Sequence, residues 1–449
     1  MLEGSVAVLV LTTAIGGAFC WLYARASGTV ANFRTLVLGS YLLVQPLSGI
    51  AHLTRLGASR GYVDLLAFPA DHLLQATAAA LLGLAGFVVG AGRIRKAAAT
   101  ATAGPPPLFA TRTERLVAVL VVLGLGPLAV WGVLEVNAIA ESLDARRIIG
   151  LDGGTARFSF LSHWFTWIVS LAAALVLSRA PPRAALWKLA VVATALGLIV
   201  GSLLWSGGRS VLLVMALPLV LLAWPYLRGV RGIAALTGAV ALTLAVATIS
   251  GIRGDISVGN WFDWEWGRFS MLATSLEYVR VNGYLMGETF VAGLVAVVGP
   301  PLGLAGLPLG SGDMLTSTDV ASRVLFGHFD AIHVVPGFTA ELAVNFGLPG
   351  VLAGYFALGR ASAWIDGRLA RQEGATGRLL LLYLGGLLSL RVIGADSAAL
   401  LFYLFYSGTP LLLAAAGAAL LAGLRQTGAA RHASGARAMT SQLGQPPCG

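Results

Sequence analysis

The feature that most constrains this chain is a series of apolar runs, each about long enough to cross a lipid bilayer. A spanning helix needs about 20 mostly apolar residues. Of the 449 residues, 57% are hydrophobic and 11% are charged, whereas a soluble globular chain carries about 25% charged residues. The pattern therefore predicts an all-α, polytopic membrane helix bundle and excludes a soluble enzyme with one membrane anchor.

The apolar runs predict eleven transmembrane helices, the first of them a retained span rather than a cleaved signal peptide. The expected spans are 4–24, 35–52, 71–91, 115–137, 159–178, 189–206, 211–226, 233–251, 341–359, 379–396 and 398–421. We expect four regions: the first eight helices (1–251), a large periplasmic loop with short helices (252–340), the last three helices (341–425) and a disordered cytoplasmic tail (426–449).

The basic residues set the expected orientation. Most of the 30 arginines and lysines fall in loops on one side of the predicted spans, and cytoplasmic loops are enriched in Lys and Arg. We therefore expect an inner-membrane protein with its N-terminus outside and its C-terminus inside. The net charge of +10 does not indicate nucleic-acid binding, because the basic residues are scattered singly between apolar runs.

The loop at 252–340 carries the most informative polar sequence. Its tryptophans Trp261, Trp264 and Trp266 fit either a membrane-interface belt or stacking against sugar rings. The apolar stretch 289–308 contains Gly299, Pro300, Pro301 and Gly303, which should interrupt a helix. We therefore expect this stretch to be interfacial or re-entrant.

Arginines on the outer side are the strongest candidates for binding an anion. Arg209 follows a short outer hairpin and Arg391 lies inside an apolar span, with Asp396 five residues later. A guanidinium binds phosphate oxygens with two parallel hydrogen bonds, so several at one leaflet suit a lipid diphosphate. We assign this role to Arg209, Arg253, Arg280 and Arg391, the alternative for each being a headgroup contact or an ion pair.

The candidates for a general base lie just before and at the start of the ninth expected span. His328, His333 and Glu341 occur there, with Asp330 between the histidines. Histidine and glutamate can accept a proton from a hydroxyl, although Glu341 also suits a helix N-terminus electrostatically. No histidine pair has zinc-site spacing, and no nucleotide-binding or hydrolase motif occurs.

Three segments, in this order, resemble the Wzy-type oligosaccharide repeat-unit (O-antigen) polymerases. They are Gly207–Ser210, the stretch from Gly287–Phe290 to Pro300–Pro301, and the run Pro336–Gly350 with Glu341 and Asn345 inside it. Together they fall within about 150 residues, and the N-terminal 200 residues match only in being apolar. In the related O-antigen ligases a polar residue follows the histidine, whereas Val334 follows His333 here.

The resemblance implies a metal-independent, inverting glycosyltransferase that works on the periplasmic face without a cofactor. Its expected partners are undecaprenyl-diphosphate-linked oligosaccharide as donor and acceptor, membrane lipids and a chain-length regulator protein. Glu341 or His333 would be the base, and His328 with the three tryptophans would contact glycan. The alternatives are an O-antigen or related glycan ligase, a shape-elongation-type glycan polymerase, and a transporter or flippase for a lipid-linked glycan.

Overall fold

The computed structural model describes the helical framework of the chain. It covers residues 2–27, 32–54, 68–92, 107–139, 153–181, 184–206, 209–227, 230, 268–304, 314–327, 336–371 and 374–424. Every regular element within these ranges is helical, in agreement with the all-α prediction. The Trp cluster, His328, His333, Arg253 and the tail 426–449 lie outside the described residues.

The helices follow the apolar runs closely. We number them α1 (Leu2–Ser27), α2 (Phe33–Thr54), α3 (Ala70–Ala91), α4 (Arg112–Ile139), α5 (Gly153–Leu177), α6 (Ala185–Ser206), α7 (Arg209–Ala223), α8 (Met271–Asn282), α9 (Glu288–Leu304), α10 (Ser317–Phe326), α11 (Phe338–Leu369), α12 (Ala375–Gly386), α13 (Ser397–Ser407) and α14 (Thr409–Leu424).

Six of the described helices are long and apolar enough to cross a membrane, or seven if the bent pair α13–α14 forms one span. The bend between those two helices is 63°. Three other expected spans correspond to shorter apolar helices, Leu161–Leu177, Val214–Leu227 and Ala375–Leu390, and 233–251 lies outside the described residues. The chain is thus a multi-pass helical protein, and the count of eleven stays a prediction.

Two large buried clusters form most of the apolar core among the described residues. One surrounds Trp167 and Tyr383, whose ring centroids lie 4.5 Å apart, and joins α5, α6, α7 and α12. The other surrounds Tyr41 and Tyr355, at 4.7 Å, and joins α1, α2, α3, α8 and α11. Large apolar side chains such as Leu123 point outward and are 68% exposed, as expected for surfaces that face lipid.

Helix α9 differs from the sequence-based expectation. It continues through Pro300 and Pro301 to Leu304, so the expected interruption there is wrong. Pro301 has no N–H for the carbonyl of Val297 four residues earlier, and the hydroxyl of Tyr406 donates to that carbonyl at 2.7 Å. A donor from another helix thus replaces the missing bond, while the interfacial placement of α9 stays a prediction.

Glycines allow a close backbone approach between α3 and α11. A Cβ on Gly86 or Gly90 would overlap the backbone carbonyls of Leu352 and Phe356, and one on Gly359 would overlap the carbonyl of Phe87. Small residues at such contacts let membrane helices approach backbone to backbone. This contact fixes α11, which carries Glu341, against α3.

We expect Gly90→Ala to destabilise the protein by about 1–3 kcal/mol, because the added methyl meets backbone that cannot rotate away. Gly17→Ala is the matched control: Gly17 is also inside a helix, but a Cβ there meets nothing within 4 Å. The control should leave stability unchanged or raise it by roughly 0.5–1 kcal/mol. Thermal unfolding in detergent measures both, and equal midpoints for the two variants would contradict the close contact.

Candidate functional site

The centre of the candidate site is the carboxylate of Glu341, in the first turn of α11. The residue is 1% exposed. Its Oε2 accepts from the backbone N–H of Ser397 at 2.8 Å, and its Oε1 accepts from the Ser397 hydroxyl at 2.7 Å and the Thr289 hydroxyl at 3.2 Å. The carboxylate therefore joins α11 to the starts of α9 and α13.

Asn345, one turn after Glu341, extends this network to the turn before α9. Its side-chain nitrogen donates to the Thr289 hydroxyl and to the Glu341 carbonyl, both at 2.7 Å. Its side-chain oxygen accepts from the backbone N–H of Gly287 at 2.8 Å. A continuous chain of hydrogen bonds thus runs from Gly287 through Asn345 and Thr289 to Glu341.

A break in α11 makes room for that turn. Gly347 has φ 65° inside the helix, in the left-handed region that glycine adopts without strain, and Pro349 has no N–H for the carbonyl of Asn345. The backbone N–H groups of Leu285 and Met286 donate to the carbonyls of Val344 and Asn345, at 3.1 and 3.2 Å. The break therefore exposes two carbonyl acceptors, and the backbone N–H groups of the turn 283–287 donate to them.

A second acid, Asp396, lies at the same helix start. As N-cap of α13 it accepts from the N–H of Ala399 at 2.8 Å, and its other oxygen accepts from the Ser317 hydroxyl at 2.9 Å. Asp396 and Glu341 both contact the first turn of α13, where the helix dipole and free N–H groups favour negative charge. These donors offset the repulsion between the two carboxylates.

The chain just before α13, residues 393–396, forms a second helix break, and it also contacts a cation. Arg268, which is 9% exposed, donates from Nε to the carbonyl of Gly394 at 3.0 Å. Gly337, with φ 88°, packs on the Arg268 side chain, where a Cβ would lie 3.2 Å away. Arg268 thus binds a carbonyl of the segment 393–396, while Glu341 and Asp396 accept from the first N–H groups of α13 that follow it.

Arg280, which the sequence suggested for diphosphate binding, forms an ion pair, the alternative considered for it. It lies on α8 with a 57% exposed side chain and binds both carboxylate oxygens of Glu277, at 2.9 and 2.5 Å. These hydrogen bonds hold the pKa of the Glu277 carboxyl below its usual range. The imidazole of His72, 2% exposed, lies 3.8 Å from the same carboxylate, so Arg280 belongs to this group and makes no described contact with Glu341.

The other predicted residues are placed only in part. Arg209 begins α7 and Arg391 lies in the π-helical turn Leu387–Val392, but the description covers their backbone alone. His333, His328, Arg253, Trp261, Trp264 and Trp266 lie outside the described residues. Within the described residues, no group of three His, Cys, Asp or Glu side chains could hold a metal ion.

Sequence reasoning missed Ser397, Ser317 and Arg268 as site residues. The pair Asp396-Ser397 before an apolar run is a recognisable helix-start signal, so the position of the α13 start could have been found. The partners could not, because Ser397 and Glu341 lie 56 positions apart and Ser317 and Asp396 lie 79 apart.

Comparison with models of known protein families, with curated proteins and with solved structures finds no match.

We expect Asn345→Ala to destabilise the protein by about 1–3 kcal/mol, because it removes hydrogen-bond partners of Gly287 and Thr289 at a site with no exposure. Asn282→Ala is the matched control, since Asn282 is exposed and its amide bonds only to the carbonyl of Tyr278. Thermal unfolding compares them, and a tolerated Asn345→Ala would show that the network adds no stability.

Proposed function

We propose that this protein is a membrane glycosyltransferase that polymerises undecaprenyl-diphosphate-linked oligosaccharide repeat units into surface polysaccharide, on the periplasmic face of the inner membrane. The observation that carries the proposal is the direct bonding of two segments that resemble the polymerases. Gly287 and Thr289 come from one segment, Glu341 and Asn345 from the other, and three side-chain hydrogen bonds connect them around a buried carboxylate.

The reaction needs one base and one stabilised leaving group. The acceptor hydroxyl loses its proton to the base, its oxygen bonds to the anomeric carbon of the donor from the side opposite the diphosphate, and the bond to the diphosphate oxygen breaks. The anomeric centre is inverted, and the electron pair stays on undecaprenyl diphosphate. Fixed cationic groups favour that charge as it develops.

Glu341 is the favoured base because its carboxylate is rigidly oriented. Three donors occupy three of the roughly four lone-pair positions of a carboxylate, which leaves one position on Oε2 for an acceptor hydroxyl. Ser397 and Thr289 then act as positioning residues, since they contact the base rather than the sugar. His333 remains the alternative base.

The diphosphate role is proposed for Arg209, Arg253 and Arg391. Arg391 fits best, because it lies five residues before Asp396, the N-cap of α13. Arg280 contributes less in this proposal, since its guanidinium already binds Glu277 in an exposed position. Trp261, Trp264, Trp266 and His328 are proposed to contact glycan.

One observation favours a second candidate, transport of the lipid-linked glycan. Transporters bind their substrates at discontinuous helices whose free ends face the ligand. The break at 393–396, the 63° bend after α13 and the interruption at Gly347 are discontinuities of this kind. The two candidates differ in what accumulates when the protein is lost.

Deletion of the gene should leave single repeat units on the lipid carrier or on the glycan core, because polymerisation stops while export and ligation continue. Gel electrophoresis of surface glycan and mass spectrometry of the lipid-linked pool measure this. Undecorated core with single units trapped inside would indicate a flippase, and polymer accumulating on the lipid carrier would indicate a ligase.

In purified enzyme, Glu341→Gln should slow polymerisation at least about 100-fold, the lower range for losing a general base. Glu135→Gln is the control, because Glu135 accepts one exposed bond from Trp131 on α4. Ser397→Ala keeps the backbone N–H to Glu341 and should lower the rate less than Glu341→Gln. Unfolding midpoints are measured in parallel, and full activity of Glu341→Gln together with inactive His333→Ala would move the base to His333.

A further inference from the structure

A cavity of about 280 Å³ lies between the first turns of α4 and α12 and the second half of α14. None of its lining residues belongs to the Glu341 site. Its wall is made of Glu114, Thr376, Gly377 and three alanines of α14, Ala415, Ala418 and Ala419, together with the chain just before α4. Ala418 and Ala419 lie about one helical turn after Ala415 on α14, and the small side chains of the three alanines leave the space open.

Among the described residues of that wall Glu114 is the only acid, and it is 6% exposed. Its Oε1 accepts from the N–H and the hydroxyl of Thr376, at 2.9 and 2.8 Å, and its Oε2 accepts from the N–H of Ala110 at 2.9 Å. A carboxylate offers about four lone-pair positions, so one position on Oε2 remains among the described contacts. All three donors are neutral N–H or O–H groups.

We propose that this cavity binds the ammonium group of an aminophospholipid such as phosphatidylethanolamine. The ammonium carries three N–H donors on a short apolar arm, which matches one open carboxylate position inside an alanine wall. A buried carboxylate without a cationic partner is costly, and an ammonium group supplies that partner.

The surroundings fit the rest of the lipid headgroup. Arg112 and Arg115 lie in the same first turn of α4 as Glu114, and both are exposed. Helices that cross a bilayer begin and end near its interface, where lipid phosphates lie beside such arginines. A zwitterionic headgroup would therefore meet a carboxylate with its ammonium and an arginine with its phosphate.

The test uses the full chain in nanodiscs that contain equal amounts of phosphatidylethanolamine and phosphatidylcholine, with native mass spectrometry counting the lipids that stay bound. Phosphatidylcholine has no N–H to donate, so the protein should retain phosphatidylethanolamine about tenfold more, the size of one charge-assisted hydrogen bond. Ala418→Leu, which fills the cavity without touching the Glu114 contacts, should abolish the preference.

Ala416→Leu is the matched control, because Ala416 lies on the exposed face of α14, and it should keep the preference. Ala415→Val provides a smaller filling change in case the leucine variant folds poorly. Equal retention of the two lipids by the wild-type protein would overturn the proposal and leave a cavity that holds water. A preference that persists in both filling variants would also overturn it, because the lipid would then bind elsewhere.

Discussion

Acidic side chains that bind the N-terminus of a different helix hold this bundle together. Asp366 accepts from the N–H groups of Phe33 and Arg34 at the start of α2, Glu114 accepts from Thr376 at the start of α12, and Glu341 accepts from Ser397 at the start of α13. The first N–H groups of a helix have no partner within the helix, and lipid offers none. Each acid satisfies such a group and fixes the relative position of two helices.

Free carbonyl groups at irregular turns of the described helices are likewise satisfied by side chains of other helices. The wide turn Tyr403–Ser407 frees carbonyls from the regular ladder, and side chains of other helices donate to them. Tyr383 donates to the carbonyl of Tyr403, Trp164 to that of Tyr406 and Trp167 to that of Ser407, at 2.6–2.7 Å. Buried aromatic side chains with one polar atom therefore stabilise this part of the bundle by hydrogen bonding as well as by packing.

Much of this framework could be predicted from the sequence, because an apolar run in lipid has one regular solution, the helix. Glu341 and the Gly287–Phe290 segment could also be selected from the sequence, by an acid at the start of a span and by the family resemblance, and their role stays a prediction. The partner of Glu341 was not, since Ser397 contacts it through tertiary packing that no local pattern encodes. Arg280 shows the same limit: its charge suggested an anion-binding role, but Glu277, three residues earlier, binds it.

The interruption of α11 at Gly347 has a mechanical consequence. On the N-terminal side of Gly347, the turn 283–287 bonds to the carbonyls of Val344 and Asn345 and to the Asn345 side chain. On its C-terminal side, the helix packs closely against α3 through Gly359. A displacement of the turn 283–287 would therefore act on the segment that carries Glu341, whereas the segment after Gly347 is held by its backbone contact with α3.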